Sequence, residues 1–313
     1  MSHQQGKMQQ RMTYEIHNAN CFEWLANQAP NSFQAVITDP PYGVIEFTSG
    51  EIEKMRSGVG GIWRIPMEIG GSKRRPQPRF TVLSLEQRQA VETYFADWAS
   101  LLAPVLVPGA HVLVATNVLL SSRVQNGIER AGFEYRGQII RMYRGMRGGD
   151  RPKLAENEFP DVAVSLRGGH EPWLLFRKPI ELGMRVSDNL RIWGTGGLRR
   201  VQTDVPFVDV IQSERTPKAE RLICDHPTMK PQSLMRPLTR LLLPLGEGRI
   251  LDPFMGSGST IAAAHAQGLS ACGVELDPQF FSLAKSAIPH LAQIEPRFSE
   301  RNSEVPLFAE KVR

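Results

Sequence analysis

The sequence predicts an α/β domain built on a doubly wound, mostly parallel sheet. Three observations carry this reading. Short apolar runs alternate with stretches whose apolar residues recur at helical spacing, the pattern of strands joined by crossover helices. One such run, Ala35-Val36-Ile37-Thr38, ends in Asp39-Pro40-Pro41-Tyr42. Another, Arg249-Ile250-Leu251, ends in a glycine loop, Asp252-Pro253-Phe254-Met255-Gly256-Ser257-Gly258-Ser259-Thr260. Both lie at strand carboxyl ends, where open α/β sheets bind ligands.

The elements follow in order. The chain opens with a strand over Tyr14 to His17, a helix over Phe22 to Gln28 and the strand Ala35 to Thr38. Residues 46–80 are rich in Gly, Arg and Pro and too long for an ordinary loop, so they are read as a mobile functional segment. A helix starts at Ser84, which forms a capping box with Gln87. Its apolar face is Val91, Phe95, Trp98, Leu102 and Val105, read as core. Gly109 precedes a strand from His111 to Ala115, and Leu120, Val124 and Ile128 mark a helix stopped by Gly132. Strands at Gln138 to Met142 and Trp173 to Arg177 complete this half. Residues 179–223 fit no α/β repeat. A helix from Gln232 to Leu243 then leads into the strand Arg249 to Leu251, an alanine-rich helix from Ile261 to Gln267 and a strand from Ser270 to Val274. Asp277 and Pro278 begin a last helix as N-cap and first helical residue.

At 313 residues and 41% apolar composition the chain can bury a substantial core, as one large domain or one with a small insertion. Its three cysteines, Cys21, Cys224 and Cys272, cannot close a disulfide framework and lack zinc-site spacing. No metal site is expected, and a reducing compartment fits. Met1 to Arg11 is polar, without a signal-peptide core, and no apolar run is long enough to span a bilayer, so no membrane association is expected.

The two motifs suit complementary tasks. The exocyclic amine of a flat heteroaromatic base is a poor nucleophile, because its lone pair is delocalised into the ring. The Asp39 carboxylate and the Pro40 carbonyl can both accept hydrogen bonds from such an NH2 group and draw its nitrogen toward tetrahedral geometry. Pro40 and Pro41 stiffen the turn, and Tyr42 offers a face for stacking. Gly256 and Gly258 permit a tight turn and close approach of backbone to a ligand. No Lys stands between Gly258 and Ser259-Thr260, so the loop is not a Walker A phosphate cradle. Glu275, at the end of the next strand, can accept hydrogen bonds from ribose hydroxyls.

The net charge of +5 is mild, but its distribution is uneven. Arg136, Arg141, Arg144, Arg147, Arg151 and Lys153 form one cluster, Lys73-Arg74-Arg75 with Arg79 a second, and Arg185, Arg191, Arg199 and Arg200 a third. Clusters outside the glycine-loop half fit a polyanionic partner. Lys73, Arg74, Arg75, Arg144, Arg147, Arg191, Arg199 and Arg200 are the expected contacts.

With both motifs in view, the chain resembles the S-adenosylmethionine-dependent amino-methyltransferases of DNA. Asp39-Pro40-Pro41-Tyr42 resembles their catalytic motif and Asp252 to Gly258 their cofactor loop. The catalytic motif comes first and the cofactor loop last, an order similar to the beta group, a circularly permuted form of the Rossmann-like methyltransferase fold. His226-Pro227-Thr228-Met229-Lys230-Pro231 resembles an additional cofactor motif of that group, and Gly273-Val274-Glu275-Leu276-Asp277 with Phe280 or Phe281 its ribose- and adenine-binding strand end. The resemblance covers roughly 13–178 and 224–290. It implies S-adenosylmethionine as cofactor, held by Asn20, Asp39, His226, Thr228, Lys230, Asp252, Phe254, Gly256, Ser257, Gly258, Ser259, Thr260, Glu275, Asp277 and Phe280. The family usually has a Gly-Asp pair before the catalytic strand, where this chain reads Asn18-Ala19-Asn20-Cys21; Asn20 can still accept a hydrogen bond from a cofactor adenine.

The resemblance further implies a catalytic half over 13–178, a target-recognition region over 179–223, a cofactor half over 224–290 and a tail over 291–313. The expected activity is site-specific methylation of double-stranded DNA on adenine N6, since an Asp opens the tetrapeptide. The alternatives are cytosine N4, an RNA amine, and a catalytically inactive DNA-binding relict. A cytoplasmic, nucleoid-associated enzyme is implied. A companion restriction endonuclease and a homodimeric state are both compatible with it.

Overall fold

The computed structural model describes residues 14–41, 68–69, 72–73, 83–143, 151–152, 154–224 and 229–296, the backbone alone at 68–69 and 72–73. Tyr42, Arg74, Arg75, Arg144, Arg147, His226 and Thr228, the side chain of Lys73 and most of 46–80 lie outside the described residues.

The first half runs β1 (Tyr14–Asn18), α1 (Cys21–Ala26), β2 (Phe33–Thr38), the short pair β3 (Glu68–Ile69) and β4 (Ser72–Lys73), α2 (Leu85–Val105), β5 (Leu106–Ala115), α3 (Ser121–Arg130), β6 (Glu134–Met142) and β7 (His170–Arg177). The second runs α4 (Val186–Trp193), β8 (Val210–Gln212), α5 (Lys218–Ile223), α6 (Gln232–Leu241), β9 (Arg249–Asp252), α7 (Ser259–Ala266), β10 (Ser270–Glu275) and α8 (Pro278–Gln293). Eight strands form one sheet in the order β1-β10-β9-β2-β5-β7-β6-β8. All neighbours are parallel except β7, which runs against both β5 and β6. This is the expected α/β class with a mostly parallel sheet.

Each face of the sheet carries a helical layer. Ala35 and Ile37 of β2 point into a core shared with α6, α7 and α8, whereas Val36 points into the core shared with α1, α2 and α3. Successive strand residues face opposite sides, and burial on both faces is why the central strands read as continuous apolar runs. The Ser84–Gln87 capping box of α2 is present, and Val91, Phe95, Trp98, Leu102 and Val105 are all buried. In α7, Ser259 through Ala264 are all buried. Small side chains let this helix sit close to the sheet.

Two expectations are corrected. The strand expected from His111 starts at Leu106, directly after α2. Its register with β2 slips between Phe33↔Leu106 and Ala35↔His111, and Gly109 takes φ 76 inside the irregularity. The bulge is held from below: Asn189 Nδ2 donates to Pro108 O at 3.0 Å and to Thr195 O at 2.8 Å. Residues 179–223 thus contribute α4 to support β5, and they also supply β8 at the sheet edge. The second correction concerns Gly258. A Cβ there would lie 2.5 Å from Ile288 Cγ1 on α8, so the missing side chain faces a helix and not a ligand space. Gly258 also has φ 78, as the residue that opens α7.

Gly258→Val therefore combines left-handed backbone strain with a clash against α8. It is expected to lower folding stability by at least about 2 kcal/mol, read as a fall in urea midpoint. A variant with the parent's midpoint would refute this packing role.

Candidate active site

The strand ends converge because β2 and β9 are neighbours, pairing Ala35 with Ile250 and Val36 with Leu251. Beyond the last paired residues, Thr38 Oγ1 donates to Asp252 Oδ1 at 2.8 Å, and the Phe254 amide donates to the same oxygen at 3.2 Å. The Thr260 side chain also bonds Asp252. One buried carboxyl group thereby ties the Asp39 turn, the glycine loop and the start of α7 together. Burial pushes the Asp252 carboxyl up to about 7, against the opposing hydrogen bonds of Thr260, Thr38 and Phe254.

Asp39 itself is ion-paired with Lys230. Lys230 Nζ lies 3.4 Å from Glu171 Oε1, and Glu171 Oε2 accepts hydrogen bonds from Arg141 Nη1 and Trp173 Nε1, each at 3.1 Å. Arg141 is anchored in turn by donating to Ser213 Oγ at 3.0 Å and to Glu214 O at 3.3 Å. Two acids and two bases thus alternate along a largely buried chain. Burial raises the Asp39 carboxyl above its ordinary range, and the Glu171 charge adds to this while Lys230 opposes it. Burial would also raise Glu171, but Lys230 and Arg141 together hold it below. Burial works against the Lys230 charge, and the Asp39 and Glu171 carboxylates outweigh it, so its ammonium is held above the usual value.

Topology explains how these groups meet. Because β7 is reversed, its first residues lie at the same end of the sheet as the last residues of β2, β5 and β6. Arg141 pairs with Glu171, and Ala115 with Trp173. Sequence reasoning assigns no site role to Glu171 or Trp173 and places Arg141 in a basic cluster suited to a polyanionic partner. Its side chain is 7% exposed. A single acid opening the buried run Pro172 to Phe176 was the available signal, since such a charge requires a partner.

The glycine loop forms the other wall. Asp39, Trp173, Lys230, Met235, Phe254 and Gly256 line a narrow cleft with a free volume of about 40 Å³, together with Asp252, Met255, Ser257, Ser259 and Thr260. Gly256 takes φ 50, and its amide donates to Glu275 Oε2 at 2.9 Å. Glu275 Oε1 accepts from the Asp277 amide at 2.8 Å. The carboxylate therefore clamps the loop to the entry of α8 and keeps further lone pairs for a ligand. Asp277 caps α8, accepting from the amides of Gln279 at 2.7 Å and Phe280 at 3.2 Å. Asn20 Oδ1 caps α1, accepting from Phe22 at 2.9 Å.

The expected basic contacts divide. Arg191 pairs with Asp188 on α4 at 2.6 Å. The Arg199 amide bonds Leu241 O at 2.8 Å, and its guanidinium lies beside Gly246. Leu241 ends α6 and Gly246 precedes β9, so Arg199, with Arg200 next to it, sits at the amino end of the strands. The structure does not bring these arginines to the cleft, because charge clustering in sequence does not report which end of a strand a residue reaches. Among the described residues Glu15, His17 and Cys272 are the only grouping of metal-ligand type. Glu15 is already paired with Arg249, and burial holds the Cys272 thiol up at about 12, so the three are not a ready cation site.

The Asp252 carboxyl yields a pH test. Folded, it keeps its proton to about pH 7, whereas its ordinary value is 3.8. Its contribution to stability is therefore fully present below about pH 4 and is lost as pH rises toward 7. Denaturation of wild type and Asp252→Asn across this range should show a steeper decline in the wild type than in the variant, which keeps the burial-raised Asp39 and Glu220 carboxyls. Parallel curves would refute the raised value.

Known proteins share this arrangement of sequence and fold. The family model described as DNA methylase, N6_N4_Mtase, matches residues 33–286. The type II methyltransferase M.HindIII of Haemophilus influenzae is 24% identical over 292 residues, 86% of this chain and 93% of that protein. M.MjaI, a type II methyltransferase of Methanocaldococcus jannaschii, is 24% identical over 266 residues, 79% of this chain and 82% of that one. Among solved structures, PvuII DNA methyltransferase (cytosine-N4-specific) aligns with TM-score 0.59 at 12% identity, covering 93% of this chain and 90% of that one. TTHA0409 of Thermus thermophilus, complexed with S-adenosyl-L-methionine, aligns with TM-score 0.55 at 19% identity, covering 90% of this chain and 95% of that one. A match spanning both strand-end motifs and the sheet that joins them places the chain in a family: it belongs to the N6/N4 DNA methylases.

Proposed function

We propose that this chain transfers a methyl group from S-adenosylmethionine to the N6 amine of adenine at a specific site in double-stranded DNA. The observation that carries the reading is the convergence of Asp39 and the Gly256 loop in one cleft, locked together through Thr38 and Asp252. The donor supplies an electrophilic methyl on a cationic sulfonium. The Glu275 carboxylate backs the glycine loop on the side where the donor would lie. Gly256, with its positive φ, turns the loop without a side chain at the wall.

The remaining work falls to the chain's own residues. A base stacked in a duplex cannot reach the cleft and has to swing out, as for other enzymes acting on bases. The Asp39 carboxylate and Pro40 carbonyl accept hydrogen bonds from its NH2 group and aim the nitrogen lone pair. Transfer is then a direct displacement without a covalent enzyme intermediate, accelerated by positioning and by the Asp39 charge as positive charge grows on nitrogen. Adenine is preferred over cytosine because an Asp opens the tetrapeptide, although both bases present the same NH2 geometry. Relatives named as type II methyltransferases support a companion restriction endonuclease as a partner.

Incubation with unmethylated genomic DNA and labelled donor should yield N6-methyladenine in one short motif. Hydrolysate containing only N4-methylcytosine would overturn the adenine assignment and leave the role of Asp39 intact. Asp39→Ala should bind donor and stay folded, since Lys230 retains Glu171 as a partner, yet lose about 100-fold or more in single-turnover rate. Near-normal transfer by that variant would move the active site elsewhere.

A further inference from the structure

Asp39 faces two competing donors. In the structure its carboxylate is paired with Lys230, which is only 10% exposed in its side chain. In the reaction proposed above the same carboxylate must accept from the base amine. A carboxylate neutralised by an ammonium polarises that amine weakly, so the ammonium has to give way. Leaving Asp39 for apolar surroundings would strand a buried charge, which is strongly unfavourable.

A second position for the ammonium is already built. Glu171 Oε1 lies 3.4 Å from Lys230 Nζ, and among the described residues this oxygen accepts no hydrogen bond, whereas Glu171 Oε2 is held by Arg141 and Trp173. Arg141 is held by Ser213 and Glu214, so the Glu171 carboxylate is anchored through its Oε2. The Trp173 ring, 5.9 Å from Nζ, offers a π face beside the path. A small swing of one flexible side chain therefore exchanges one carboxylate for another.

We propose that Glu171 is a positioning residue that receives the Lys230 ammonium when the target amine takes over Asp39. It touches neither base nor donor and acts through Lys230. This rests on Asp39 as the amine acceptor, and not on which base carries the amine.

The test is single-turnover transfer of labelled methyl to any base amine at saturating DNA and donor. The proteins are wild type, Glu171→Gln, Glu171→Asp, Lys230→Met and the Glu171→Gln/Lys230→Met double variant, each with a thermal melt. Glu171→Gln should slow transfer about tenfold or more while donor and DNA affinities stay within about twofold, and it should add little in the Lys230→Met background, as expected for coupled neighbours. Glu171→Asp, which keeps the charge, should recover most of the rate, and this comparison also decides the matter if Glu171→Gln melts early. Equal losses in both backgrounds, an unaffected Glu171→Gln, or no recovery in Glu171→Asp would each overturn the proposal. A cytosine product in the same assay would overturn the adenine reading alone, because the rate comparison counts methyl on either base.

Discussion

The hydrogen bond from Thr38 to Asp252 is the constraint on which the site depends. It joins two segments that are distant in sequence and meet only because β2 and β9 are neighbours. Without it, the turn carrying Asp39 and the loop carrying Gly256 would be independent strand ends, each free to drift. Positioned groups lose much of their effect when displaced by about an ångström. A buried carboxyl group is a costly anchor, and its protonated state near neutrality shows how that cost is limited: a neutral acid still bonds Thr38, Thr260 and the Phe254 amide.

The second constraint is charge balance. Asp39, Lys230, Glu171 and Arg141 carry two formal charges of each sign. Arranged alternately, each has an opposite neighbour. Buried ions are tolerated when paired and fixed by further hydrogen bonds. Such a row permits internal rearrangement without a net change of charge in the interior. A lone Asp39 would lack that property, since burial alone would favour its neutral form.

What could be read from sequence follows from the range of the interactions concerned. Short-range signals were legible: the apolar run before Asp39, the capping box at Ser84, the glycine loop and the Asp277 cap all depend on neighbours within a few residues. The adjacency of the two motifs followed from a general rule of open sheets. Contacts set by register were hidden. Arg141 looked like one of a run of surface arginines, and only its pairing opposite Glu171 reveals it as an internal counter-ion. Gly258 looked like a ligand-facing glycine, and only the approach of α8 shows which way its absent side chain would point. Arg199 belonged by charge to a polyanion contact, yet the chain carries it to the far end of the sheet.

The reversal of β7 has a consequence for how such a protein can diversify. Because β6 runs toward the cleft and β7 away from it, the connection over residues 143–169 leaves and re-enters the sheet at the cleft rim. Its described part exposes Leu154, Phe159, Val162, Val164 and Leu166. These exposed side chains lie outside the paired strands and outside the hydrogen bonds of Asp252. The connection is in effect a graft point: a lineage, or an engineer, could change the exposed rim while the strand ends stay as they are.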